Sequence, residues 1–141
     1  MMTGPLRLIA QDEEDLKVIS AALQDAVARI GDITFEEKGR RLTIAFNRFR
    51  WEAGGRGERV RTAIQLGGVL GVQARRLRRE AKSAVVELLA LSFEPGEAPG
   101  GAVVFAFAGG GDLRAEVECI DAALADLSDP WPTPRTPGHQ V

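Results

Sequence analysis

The chain has 141 residues, 45% hydrophobic and 27% charged, with a formal net charge of −2. These values suit a single globular domain that buries roughly two-thirds of its unfolded surface, and they exclude an intrinsically disordered chain. The lone Cys119 excludes an internal disulfide, no apolar run approaches the ~18 residues of a membrane span, and Met1-Met2-Thr3-Gly4-Pro5 lacks the features of a secretory signal, so the expected location is the cytoplasm.

Leu6 to Ala10 reads as a first strand or an extended lead-in. Asp12 is a suitable helix N-cap, and acids in the first turn complement the helix dipole. Leu16, Ile19, Leu23 and Ala26 recur at helical spacing, which predicts a helix from about Glu13 to Asp25. The period then changes to two. Val27 to Glu36 is a strand, Gly39 turns the chain, and Leu42, Ile44 and Phe46 alternate with polar or small residues in a half-buried antiparallel strand. The apolar parity moves from even to odd at Phe49 and Trp51, which predicts a bulge at Asn47-Arg48.

Ala53-Gly54-Gly55-Arg56-Gly57 reads as a hairpin loop, followed by strands at Val60 to Leu66 and Val69 to Leu77. Val85, Leu89, Leu91 and Phe93 on one parity open a further hairpin, which Val103, Phe105 and Phe107 close. Gly109-Gly110-Gly111 makes a turn into a last strand with Leu113, Ala115 and Val117. Val117, Ile120, Leu124 and Leu127 then return to helical spacing, and the tail from Pro130 holds four of the seven prolines. The expectation is one α+β domain over residues 1–129 and a Pro-rich extended tail over 130–141. The domain comprises an N-terminal helix, about seven antiparallel strands in a strongly bent sheet or partly open barrel, and a C-terminal capping helix. This order of elements resembles the pleckstrin-homology-like barrel in topology, without a shared motif.

A closer resemblance rests on residues. Leu16-Lys17-Val18-Ile19-Ser20-Ala21-Ala22-Leu23-Gln24-Asp25-Ala26, Asn47-Arg48-Phe49-Arg50-Trp51-Glu52, Phe93-Glu94-Pro95-Gly96-Glu97-Ala98-Pro99 and Val117-Glu118-Cys119-Ile120 are similar to a proteobacterial family of small proteins catalogued as a domain of unknown function. The resemblance runs from Pro5 to Trp131. It implies a single-domain bacterial cytosolic protein and brings no activity, cofactor or catalytic residue.

Charge is unevenly spread. From Arg40 to Lys82 there are 12 Lys and Arg against 3 acids, a net of +9, which leaves 6 basic and 17 acidic residues, a net of −11, elsewhere. Two clusters stand out within the basic segment. In Asn47-Arg48-Phe49-Arg50-Trp51-Glu52, inward-pointing Phe49 and Trp51 would leave Arg48 and Arg50 on one outer face. There two guanidinium forks either hold a phosphate or carboxylate, or pair with Glu52, Glu58 or the acidic first helix. Arg75-Arg76-Leu77-Arg78-Arg79, with Lys82, is either a footprint for nucleic acid or an anionic head group, or a charged hairpin end that protects a sheet edge. Arg61 lies on the strand between them.

Other motifs carry less. Gly109-Gly110-Gly111 lacks the lysine and following helix of a phosphate loop. Cys119 reads as a buried apolar thiol, and one Cys with His139 cannot close a zinc site. Glu87, inside an apolar strand, is a candidate acid only if it faces inward. No nucleophile, base and orienter assemble, so neither an enzyme nor a cofactor or metal is expected. The expected function is a non-catalytic protein-binding module, with nucleic-acid or anionic-ligand binding through residues 40–82 as the alternative. Candidate contacts are Asn47, Arg48, Arg50, Trp51, Arg61, Arg75, Arg76, Arg78 and Arg79.

Overall fold

Acidic residues begin the only α-helix found among the described residues, which are 4–53 and 57–134 of a computed structural model. Helix α1 (Glu13–Ala22) starts at Asp12, whose carboxylate accepts the Asp15 N–H at 2.8 Å, with Glu13, Glu14 and Asp15 in the first turn. It stops a turn earlier than its apolar spacing predicts. Asp25 takes φ 63°, and its N–H bonds to Leu88 O at 2.9 Å, which turns the chain out of the helix and onto the sheet.

The remainder is β-structure: β1 (Arg7–Ala10), β2 (Val27–Arg29), β3 (Ile33–Glu36), β4 (Arg41–Phe49), β5 (Glu58–Leu66), β6 (Val69–Arg75), β7 (Val85–Pro95), β8 (Gly101–Phe107), β9 (Asp112–Val117), β10 (Ala122–Asp126) and β11 (Trp131–Pro132). Their order is β1-β10-β5-β4-β2-β7-β8-β9-β6, with β3 added to β4 and β11 to β5, and every pairing is antiparallel. Alternate residues of β4 (Leu42, Ile44, Phe46) meet Ile64 and Leu66 of β5, Phe105 and Phe107 of β8, and Leu113 and Ala115 of β9 in one core. Leu16, Ile19 and Leu23 of α1 close that core from one side. Burying a side chain such as Phe105 in it stabilises the fold by about 2–3 kcal/mol.

The expected barrel with a C-terminal capping helix is not what forms. The path ends at β1 and β6, which do not pair with each other, so the sheet stays open. Where a closing helix was expected, Cys119, Ile120 and Asp121 make a turn, and β10 inserts between β1 and β5. Ala122 and Leu124 point inward at period two, while Leu127, the last member of the helical stripe, is exposed. Ala-Ala-Leu-Ala favours a helix locally; ladders on both edges of β10 override that preference.

The expected bulge at Asn47-Arg48 is absent too. The β4–β5 register runs unbroken from Leu42↔Leu66 to Phe49↔Arg59. Arg48 simply continues the inward parity of Leu42, Ile44 and Phe46, and its side chain is fully buried. Register shifts occur instead in β6, between Val69 and Gly71, and in β7, between Leu88 and Ala90. The hairpin-loop residues 54–56 and the tail beyond 134 lie outside the described residues. The part of the tail that is described runs along β5, with Trp131 opposite Arg59 and Thr133 N bonded to Gly57 O at 2.7 Å.

Candidate anionic-ligand site

The basic segment resolves into two populations. Seven of its arginines have partners within the molecule. Arg40 reaches Glu118 at 3.2 Å, Arg41 reaches Glu36 at 3.0 Å, Arg61 reaches Asp32 at 3.0 Å and Arg75 reaches Asp112 at 2.6 Å. Arg59 donates to Asn47 O at 3.0 Å; burial lowers its pKa, opposed by the fields of Glu87 and Asp25. Arg48 and Arg50 are the most deeply engaged.

Arg48 donates through Nε and Nη2 to both oxygens of Asp126 at 2.9 Å, and through Nη1 and Nη2 to Glu52 at 3.0 and 2.6 Å. Asp126 also accepts Leu6 N–H at 2.8 Å and Thr62 Oγ1–H at 2.7 Å. Arg50 pairs with Glu58 and lies 3.7 Å from Glu52. Burial opposes the charge on Arg48, but hydrogen bonds to Glu52 and Asp126 outweigh it and raise the guanidinium pKa above its ordinary value. The same contact holds the Glu52 carboxyl below its usual value. Desolvation pushes Asp126 up, yet donation from Arg48, Leu6 N–H and Thr62 brings it below the usual range. This network joins Leu6, just before β1, to β4, β5 and β10. Arg48 and Arg50 are therefore buried, and the two-fork outer face expected from the sequence does not exist. Phe49 is buried beside them, with its ring centroid 4.6 Å from that of half-buried Trp51. Trp51 donates Nε1–H to Gln24 O at 3.3 Å, and Asn47 Oδ1 accepts from Arg61 at 3.2 Å.

The second population is Arg76, Arg78, Arg79 and Lys82. All four are exposed, and none makes an ion pair among the described residues. They occupy the connection from β6 to β7, which Arg76 enters at φ 56°. The Gly109-Gly110-Gly111 turn supports this connection. A Cβ at buried Gly111 would lie 2.7 Å from Leu77 Cδ2 and 2.9 Å from Arg76 O, so only glycine fits there without a shift. The twelfth cation, Arg56, lies outside the described residues.

Beside the connection is a cavity of about 500 Å³ between the free edges of β3 and β6. Leu42, Leu113, Val72 and Phe35 contribute apolar walls, with Arg79 and Lys82 at one end and Glu37 also on its lining. Sequence reading missed this cavity; its one visible signal was Leu77, an apolar residue inside a run of arginines, which lines it. A smaller hollow of about 420 Å³ has Arg29, Asp32, Asn47 and Arg61 on its lining, but the Arg61 charge there is already met by Asp32.

Of the remaining expectations, Cys119 is exposed where burial was expected, because Ile120 takes the inward position of that turn. Glu87 is half-buried, opposite Val27 of β2. Among the described residues no group of three or more His, Cys, Asp or Glu is placed to hold a metal ion, and no helix is long and apolar enough to cross a membrane.

These features define an antiparallel β-rich domain with one α-helix and a basic connection beside a cavity. The chain belongs to the DUF2948 family, described as a protein of unknown function, whose model matches residues 6–139. No match was found among curated proteins.

Proposed function

We propose that the protein is a non-catalytic binding domain that recognises an anionic ligand through Arg76, Arg78, Arg79 and Lys82. The observation that supports this reading is the partition of charge. The arginines of β4, β5 and β6 have partners within the molecule, Arg48 in the core and Arg41 and Arg75 at the surface, whereas these four cations make no ion pair among the described residues. Four cations against the single acid Glu80 within residues 76–82 raise the local potential and hold an anion by charge-assisted hydrogen bonds. The expected adaptor role survives in this reading only where the partner protein presents acidic groups.

The test is recovery of bound material from lysate by the tagged protein and by its Arg76→Ala/Arg78→Ala/Arg79→Ala/Lys82→Ala variant, with and without nuclease. Recovery should collapse in the variant and between about 50 and 200 mM salt. Material that survives nuclease assigns the anion to a protein or small molecule, and material lost with nuclease assigns it to nucleic acid. Recovery equal in both proteins at both salt concentrations refutes recognition by this connection.

A further inference from the structure

The cavity next to the basic connection is bounded on four sides. Strands β3 and β6 form its flanks, since neither has a partner on that edge. At one end the Val69 N–H bonds to Arg40 O at 2.9 Å and draws the two flanks together. At the other end the connection is pinned to the chain before β3 by Gly31 N to Lys82 O and Ile30 N to Ala84 O, each 2.9 Å. A cavity closed at both ends excludes a strand running through it and accommodates a short, self-contained molecule instead. Its volume of about 500 Å³ lies within the usual range for small-molecule sites.

The cavity is also polarised along its length. Arg79 and Lys82 stand at the end made by the connection, while Glu37 follows β3 at the opposite end. Buried Leu42, Leu113 and Ile30, with half-buried Ile33, Phe35 and Val72, line the space between. An anionic group is attracted at the cationic end, and the apolar side chains between offer contact to a short hydrocarbon body beside the free backbone groups of the two strand edges.

We infer that this cavity binds a small amphiphilic anion, its apolar body between β3 and β6 and its carboxylate or phosphate on Arg79 and Lys82. The inference rests on the anionic-ligand reading above and names the ligand class for that site. Gly71 provides a clean means of blocking it. It lines the cavity, a Cβ there meets no atom within 4 Å, and its φ is not left-handed, so a larger side chain adds volume without backbone strain. Leu70, also on the lining, is exposed and tolerates replacement.

The experiment is calorimetric titration with sodium decanoate below its micellar concentration, with acetate as the head-group control. Thermal melts confirm that each variant is folded. The wild-type protein should bind one decanoate and no measurable acetate. Gly71→Phe, Leu70→Asp and the Arg79→Ala/Lys82→Ala pair should each weaken decanoate binding by about tenfold or more. If the folded Gly71→Phe and Leu70→Asp variants bind as wild type while the charge pair does not, the cavity inference fails and recognition by the basic connection stands. If the charge pair binds as wild type, the head-group assignment fails, and the lysate recovery assay with the four-fold variant decides the broader reading. If wild type does not bind decanoate, the amphiphile inference is overturned, and the lysate recovery assay decides the broader reading by itself.

Discussion

Replacing Arg48 by methionine tests the buried network. The guanidinium donates four hydrogen bonds to carboxylates, two to Asp126 and two to Glu52, plus a weaker contact to Phe49 O at 3.4 Å. The loss falls unequally on the two acids. The Glu52 side chain is 29% exposed and can turn to water, so its share is small. The Asp126 side chain is 2% exposed and keeps only Leu6 N–H and Thr62 Oγ1–H as donors, which leaves a buried carboxylate without a counter-charge. Arg48→Met should therefore lower unfolding free energy by about 3–5 kcal/mol, measured by urea denaturation. Asp126→Leu alone leaves buried Arg48 with Glu52 as its remaining carboxylate partner and should cost less, about 1–3 kcal/mol. The Arg48→Met/Asp126→Leu double variant removes both charges and should be at least ~2 kcal/mol better than the sum of the single losses. A loss under ~1 kcal/mol for Arg48→Met, or strict additivity in the cycle, would refute the argument that this pair acts as a buried ion pair.

Acid should weaken the fold through the same residues. Asp126 and Glu52 are held below their ordinary values of 3.8 and 4.5, so their contribution is complete above those values and is lost as pH falls through the lower folded-state values. Urea midpoints should be flat from pH 7 to about pH 5 and then fall, more steeply in wild type than in the Arg48→Met/Asp126→Leu variant. Gly111→Ala must displace the Arg76 carbonyl and should cost about 1–3 kcal/mol, read from the same denaturation curves. Phe105→Ala, at a site with 0% exposure in the centre of the core, should cost about 3–5 kcal/mol. Cys119 is exposed, so a maleimide should label the native protein at the rate of an accessible thiol; labelling only after denaturation would contradict its position in the β9–β10 turn.

Alternation and capping carried much of the fold into the sequence. Leu42-Ile44-Phe46, Ile64-Leu66 and Val103-Phe105-Phe107 showed the strands, and Asp12 marked the start of α1. The failures have specific causes. Arg48 occupies a core position that parity rules reserve for apolar residues, so its charge was mistaken for a change of face. Val86 and Leu88 are apolar like their neighbours Val85 and Leu89, so the real shift in β7 left no mark in the pattern. In β10, the helix-favouring Ala-Ala-Leu-Ala is held extended by partners far away in sequence. The basic segment was visible as composition, but which cations are free was not. Asp126 lies 78 residues from Arg48 and Asp112 lies 37 from Arg75, and only the folded sheet brings them together.

The division of the basic segment into engaged and available arginines can be observed directly in the arginine Nε–H resonances of the ¹⁵N-labelled protein. Arg48, fully buried and bonded through Nε to Asp126, should exchange slowly and keep its shift as salt is added. Arg76, Arg78 and Arg79 should exchange like free arginine, and Arg79 should move on titration with decanoate. Fast exchange at Arg48, or protected loop arginines that no anion shifts, would contradict the account.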